Sequence, residues 1–183
     1  MKKIAPWSAG DVQKAGRFLL FFIFFFVAGT LLLDFVVPNS ARQELVASAT
    51  LAVLQATGTT GHLDLSAGHT WIILDRGNTI QISDLCTGTL EFLIIIGAIL
   101  ASAGIDRKKR VLGAAMAGVL VLLLNLARIL ATIGLIGSTQ DTQLIDFTHN
   151  VFFRVFLFVS IMGLYTLWFA WAVGKDGPQK KKE

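Results

Sequence analysis

The chain has 183 residues, of which 54% are hydrophobic and only 15% are charged. Soluble domains carry about 25% charged residues, so this composition excludes an ordinary soluble protein and indicates one membrane-embedded domain over residues 1–183. The single cysteine, Cys86, excludes an internal disulfide and a cysteine-rich metal site. The net charge of +4 comes from basic residues beside the apolar segments, where the positive-inside rule accounts for them. We therefore expect no nucleic-acid partner and no cofactor.

Four apolar segments are predicted to cross the membrane as helices. They cover residues 17–37, 87–103, 111–136 and 148–173. Three of them exceed the roughly 18 residues that indicate a spanning helix, and the segment after Cys86 comes close to that length. The first is longer than the roughly 7–15 apolar residues of a signal peptide, so we expect it to remain in the protein. The predicted fold is an all-α polytopic membrane protein.

Residues 38–85, between the first two spans, are predicted to begin with an amphipathic helix on the extracytoplasmic side. The run Ser40-Ala41-Arg42-Gln43 fits a capping box, with Ser40 as the N-cap and Gln43 reaching back to it. The helix is expected to end near Thr57, before Gly58. Its apolar face at helical spacing consists of Leu45, Val46, Ala49, Ala52, Val53 and Ala56.

A small β-hairpin is predicted over Thr70–Asp84. Ile80 and Ile82 alternate with polar residues, as in a half-buried strand. The turn Arg76-Gly77-Asn78 supplies residues that tolerate a positive φ. The second strand of this hairpin leads directly to Cys86.

The distribution of basic residues predicts that both termini lie in the cytoplasm. With four spans and an inside N-terminus, twelve of the sixteen Lys and Arg residues fall on the inner side, four each in the N-terminal segment, the loop Arg107–Arg110 and the C-terminal tail. Arg42 and Arg76 then lie outside, and Arg128 and Arg154 lie within the membrane. The positive-inside rule favours this arrangement in the cytoplasmic membrane.

This topology puts Cys86, Arg128 and His149 in the outer leaflet. Cys86 begins the second span, His149 begins the fourth, and Arg128 lies about 12 Å below the outer end of the third at about 1.5 Å per residue. A cation beside a cysteine favours the nucleophilic thiolate, and an arginine inside a membrane marks a functional site or a buried ion pair. Histidine exchanges protons near neutral pH and suits an acid–base role. Asn125, three residues before Arg128, shares its helix face.

Purely structural roles for these residues remain open. Cys86 taken alone fits a small packing residue, and His149 taken alone fits an interfacial one. Arg128 could pair with Glu91, which lies at a similar depth, and Arg154 is a rival cation in the fourth span.

A metal site is not expected. His62, Asp64 and His69 are residue types that ligate metals, but loop residues scattered in this way rarely do so.

Three ordered motifs resemble those of the exosortase/archaeosortase family. They are Cys86-Thr87-Gly88, Asn125-Leu126-Ala127-Arg128-Ile129 and Asp146-Phe147-Thr148-His149. The resemblance covers about Ile80–Trp168, and the chain is similar to the short members of the family. It implies that Cys86 is the nucleophile, Arg128 the essential cation and His149 the third active-site residue. In some archaeal relatives the third residue is arginine, which keeps Arg154 as an alternative.

The resemblance also implies the reaction of a membrane-embedded cysteine transpeptidase. Such enzymes process surface proteins that end in a short motif, a transmembrane helix and a basic cluster. Cleavage proceeds through a thioacyl intermediate, and the sequence leaves open whether the acceptor is a lipid headgroup, a glycan or water. Two alternatives remain: a non-catalytic membrane assembly or lipid-binding subunit, for which Cys86 is dispensable, and an interfacial cysteine hydrolase that releases free acid.

Overall fold

Within the part of the chain that the structure describes, three helices are long and apolar enough to cross a membrane. The computed structural model describes residues 9–75, 77–138, 143 and 147–174, without the side chains of residues 9, 67, 149 and 150. In chain order the elements are α1 (Ala9–Val36), α2 (Asn39–Ala56), β1 (Gly61–Asp64), β2 (Thr70–Leu74), β3 (Thr79–Ile82), α3 (Thr89–Ala101), α4 (Arg107–Ser138) and α5 (Phe153–Gly174). The candidate spans are Gly10–Val36 within α1, together with α4 and α5. The prediction of a polytopic helical membrane protein is confirmed.

The predicted second span corresponds to the short apolar helix α3. Its 13 residues extend about 20 Å at about 1.5 Å per residue, less than the roughly 30 Å of a hydrocarbon core. The helix begins after Gly88 and ends at Ser102, whose hydroxyl donates to Ala98 O (2.9 Å) and lies 2.9 Å from Tyr165 Oη of α5. Along its length α3 packs against α1 and α4, so it lies within the helix bundle.

The predicted hairpin belongs to a three-stranded antiparallel sheet with the order β1-β2-β3. Strands β2 and β3 pair with Ile72 opposite Ile80, and Gly77 in their connection has a φ of +89°. Arg76, in the same connection, lies outside the described residues. Strand β1 was not expected, because its sequence Gly-His-Leu-Asp has one large apolar residue and no clear alternation.

Helix α2 begins and packs differently from the prediction. It starts at Asn39 with no side-chain capping hydrogen bond, so the capping box is wrong. Gln43 instead donates from Nε2 to the carboxylate of Asp84. The buried residues of α2 are Gln43, Ala47, Thr50 and Leu51. Small side chains on this face allow α2 to lie close to the sheet, and the predicted apolar face remains mostly exposed.

Two buried clusters hold the molecule together. One joins α2, the sheet and the C-terminal half of α4, and it contains Ala47, Leu51, Ile72, Leu74, Ile82, Cys86, Ile129 and Ile133. The other joins α3, α4 and α5 and includes Ile95, Val121 and Trp168. Because α4 contributes to both clusters, it connects the helix bundle to the layer formed by α2 and the sheet, called the cap below.

Candidate active site

Cys86 is the last residue of a 3₁₀ turn, Asp84–Cys86, that links the cap to α3. Its N–H donates to Ser83 O (2.8 Å), and the Thr87 hydroxyl donates to Asp84 O (2.7 Å). Ser83 Oγ lies 3.5 Å from Cys86 Sγ. These bonds fix the backbone of the turn and hold the thiol beside a hydroxyl, just before the N-terminus of α3.

Gly88 makes the entry into α3 possible. Its φ is +69°, in the left-handed region that favours glycine. A Cβ at this position would lie 2.9 Å from both Cγ and Nδ2 of Asn125. The backbone conformation and the close approach of α4 therefore both require glycine two residues after the cysteine.

Asn125 and Arg128 of α4 bind the two backbone carbonyls at the cysteine. Asn125 Nδ2 donates to Cys86 O (2.7 Å), and Arg128 Nη2 donates to Leu85 O (3.0 Å). Both side chains are deeply buried, with 2% of Asn125 and 6% of Arg128 exposed. Their spacing of three residues puts them on one helix face, as the sequence predicts. The structure thus brings Cys86, Gly88, Asn125 and Arg128 together.

Two polar atoms beside the cysteine have no hydrogen-bond partner among the described residues. They are Arg128 Nε and Asn125 Oδ1, and both are buried. A buried polar atom without a partner costs about 1–3 kcal/mol. These atoms are therefore available to hydrogen-bond a group that the protein itself does not supply.

The thiol lies under the cap rather than at an open surface. Only 7% of Cys86 is exposed, and the side chain belongs to the apolar cluster formed with Ala47, Ile72 and Ile129. The sequence suggests a thiol that a substrate reaches from outside the bilayer. In this structure the thiol packs against the cap and α4, which leaves little of it exposed.

Glu91, Arg128 and Arg154 line one cavity of about 240 Å³ between α3, α4 and α5. The Glu91–Arg128 ion pair that the sequence leaves open as an alternative is not among the ion pairs of the described residues. Arg128 instead directs Nη2 to a backbone carbonyl. The three charged side chains therefore share a cavity without an ion pair between Glu91 and Arg128.

His149 lies in a π-helical turn, Thr148–Phe152, that leads into α5. Its side chain and the whole of Asp146 lie outside the described residues. The placement of His149 beside Cys86 therefore stays a prediction.

A second cavity, of about 250 Å³, lies between α2 and α4 on the other side of Asn125. Its walls are almost entirely apolar, and they include Leu45, Ala49 and Leu122 together with Thr87 next to the cysteine. The apolar face that the sequence predicts for α2 thus contributes to this groove rather than to the buried core.

Two contacts at the site were not found from the sequence. Gln43 ties α2 to Asp84 in the cysteine turn, and Ser83 lies beside the thiol. Gln43 and Asp84 are 41 residues apart, and no local pattern connects them.

Within the described residues no group of three His, Cys, Asp or Glu side chains could hold a metal ion. His69 instead contacts Gln81 (3.2 Å).

The fold and the site define a multi-pass membrane protein with a cysteine just before the N-terminus of the apolar helix α3 and an arginine on the adjacent helix α4. A family model described as transmembrane exosortase matches residues 7–166. The chain belongs to this family. No curated protein and no solved structure matches the chain significantly.

Proposed function

We propose that this protein is a membrane-embedded cysteine transpeptidase that cleaves the C-terminal sorting signal of surface proteins and transfers them to an acceptor. The observation that carries the proposal is the pair of bonds from Asn125 and Arg128 to consecutive carbonyls at Cys86. They hold a buried cation next to the only thiol of the chain. A cysteine used only for packing in an apolar cluster needs no such cation.

Arg128 and α3 act on the charge of the thiol and of the intermediate. A neighbouring cation and a helix N-terminus both favour the thiolate. The thiolate attacks the scissile carbonyl, and the carbonyl π electrons move to oxygen. Arg128 Nε, which has no partner in the described structure, is available to donate to that oxyanion. Collapse of the intermediate breaks the C–N bond and leaves a thioester on Cys86.

His149 is assigned to proton transfer in this proposal. It protonates the leaving amine and later removes the proton of the acceptor, because imidazole titrates near neutral pH whereas arginine stays protonated. Arg154 lines the cavity beside Arg128 and is the alternative third residue.

The substrate in this proposal is a protein ending in a short motif, a transmembrane helix and a basic cluster. The apolar groove between α2 and α4 includes Thr87 and Asn125 in its lining and provides a surface for an apolar helix near the cysteine. With both termini cytoplasmic, the cap and Cys86 face the extracytoplasmic side. The acceptor is a lipid, a glycan or water.

The test uses cells that express the protein with a tagged reporter carrying such a signal. We expect Cys86→Ala and Cys86→Ser to accumulate in the membrane at normal levels and to leave the reporter uncleaved. Ser160→Ala, which removes an exposed hydroxyl from α5, is the matched control and should process normally. Full processing by Cys86→Ala would show that the thiol is dispensable and would support the non-catalytic alternative.

The mass of the product separates transfer from hydrolysis. A transpeptidase releases the reporter with an added group at its new C-terminus, whereas an interfacial hydrolase releases a free carboxylate.

A further inference from the structure

The cavity shared by Glu91, Arg128 and Arg154 contains two cations, and the proposed cleavage step with His149 as the third residue uses only Arg128. Arg128 is buried on its wall, with Nε unpartnered among the described residues. Arg154 lies on the same wall at the surface of α5. Two guanidinium groups that converge on one cavity favour an anion, and planar guanidinium groups match the oxygen atoms of phosphate and carboxylate.

The walls of this cavity carry more positive than negative side chains. Arg128 and Arg154 contribute two positive charges, and Glu91 contributes one negative charge. One cation on the walls is therefore left without a counter-charge. In surroundings of low dielectric constant this excess charge attracts an anion strongly.

The remaining walls of the cavity are apolar and open toward the lipid. Leu85, Leu90, Ile94, Leu157, Phe158 and Ile161 complete the lining. Leu90 is 52% exposed and Phe158 is 63% exposed on the surface of the bundle. A ligand that enters from this side has an anionic head for the arginines and a hydrocarbon part for these side chains.

We infer that this cavity binds the phosphate of a membrane phospholipid, with an acyl chain lying along Leu90 and Phe158. The inference rests on the proposed function only in assigning the apolar helix of the substrate to the groove between α2 and α4. An acidic side chain of a protein substrate would also satisfy the arginines, but with the substrate helix in that groove the apolar walls of this cavity are left for an acyl chain.

The direct test is photolabelling of the purified full chain in a maltoside detergent, which contains no phosphate. The probe is phosphatidic acid with a diazirine in one acyl chain, and the matched probe is diacylglycerol with the same chain. We expect phosphatidic acid to label peptides that contain Leu90 or Phe158 about fivefold more than diacylglycerol, the effect of one basic residue on an anionic lipid. Equal labelling by both probes overturns the inference. Complete displacement by an equal concentration of inorganic phosphate identifies a free-anion site and also overturns it.

Variants connect the labelling to the arginines. Arg154→Gln should lower phosphatidic acid labelling about fivefold, and Arg154→Lys should retain most of it because the charge remains. Arg107→Gln, at the opposite end of α4, is the control and should not change labelling. Arg154 is exposed, so its variants should elute from size exclusion as the wild type does. Unchanged labelling in Arg154→Gln overturns the inference. If that variant also stops processing only of reporters with an acidic motif residue, a protein carboxylate takes the place of the lipid.

Labelling needs no cleavage activity, so the lipid site and the proposed reaction can fail independently.

Discussion

At the scale of single residues, the site depends on side chains that hold the backbone of the cysteine turn. Asn125 and Arg128 bind carbonyls rather than the thiol, and Gly88 leaves room for Asn125. Substitutions here therefore act through the position of Cys86 as well as through its charge.

Replacement of Gly88 by alanine should destabilise the protein and abolish processing. The added Cβ meets Asn125 at 2.9 Å while the backbone stays at a φ of +69°. The left-handed conformation alone costs about 1–2 kcal/mol for a residue other than glycine. The measurement is thermal unfolding in detergent together with reporter cleavage. Gly163→Ala is the control, because nothing lies within 4 Å of a Cβ there and alanine favours a helix. A Gly88→Ala variant as stable and active as wild type would contradict the packing argument.

Replacement of Arg128 separates its charge from its geometry. Arg128→Lys keeps the charge but loses the planar group whose Nη2 binds Leu85 O while Nε remains free, so we expect processing to fall about tenfold or more. Arg128→Ala should also slow alkylation of Cys86 by iodoacetamide, because the attacking sulfur loses a neighbouring positive charge. Exposed Arg107→Lys is the control. Processing by Arg128→Lys at the wild-type rate would show that only the charge of Arg128 matters and that its planar geometry does not.

At the scale of elements, a side-chain hydrogen bond ties α2 of the cap to the cysteine turn. Gln43 is buried on α2 and donates to Asp84, which belongs to the turn that ends at Cys86. The cap covers the thiol, and this bond helps to keep it closed.

Replacement of Gln43 by alanine should loosen the cap without unfolding the bundle. Loss of a hydrogen bond to a charged group costs about 1.5–3 kcal/mol. We expect faster labelling of Cys86 by a maleimide and a lower unfolding temperature. Gln55→Ala, which removes an exposed bond to Gly61 O (3.3 Å), should change neither. Slower or unchanged labelling in Gln43→Ala would mean that the bond does not control access to the thiol.

Local patterns predicted the elements better than they predicted the contacts between them. Helical spans follow from apolar length, and strands β2 and β3 follow from the alternation and turn residues around Gly77, whereas β1 was not predicted. The face that α2 buries could not be predicted, because small residues such as Ala47 and Thr50 are selected by the nearby sheet and not by hydrophobicity. From the residues alone, the topology only permits Asn125 and Arg128 to lie near Cys86. Their hydrogen bonds could not be predicted, because the acceptors are backbone carbonyls, which every residue has.

At the scale of the whole molecule, the proposed orientation determines which side of the membrane receives the product. The basic residues favour cytoplasmic termini and an extracytoplasmic cap. The lengths and the packing of the helices would be the same in either orientation, so the orientation has to be measured separately.

Single cysteines in a Cys86→Ser background should report the orientation. Thr60→Cys, in the loop before β1, should react with a membrane-impermeant maleimide in intact cells. Lys108→Cys, at the start of α4, should react only after the membrane is opened. The opposite pattern would reverse the topology and would place the cap in the cytoplasm.

Because the cysteine turn is anchored on α4, the protein would measure the length of the substrate helix in the proposed reaction. Cys86 is bound at Asn125, and Arg110 Nη1 at the other end of the same helix donates to Leu100 O (2.9 Å). The stretch of α4 between these two points is about 22 Å long at about 1.5 Å per residue. A substrate helix whose basic end stays at the membrane surface must therefore have a matching length to bring its scissile bond level with the thiol. Insertion of one helical turn into the substrate helix moves its scissile bond about 5 Å past Cys86. Cleavage should therefore tolerate changes in the apolar sequence of the sorting signal far better than changes in its length.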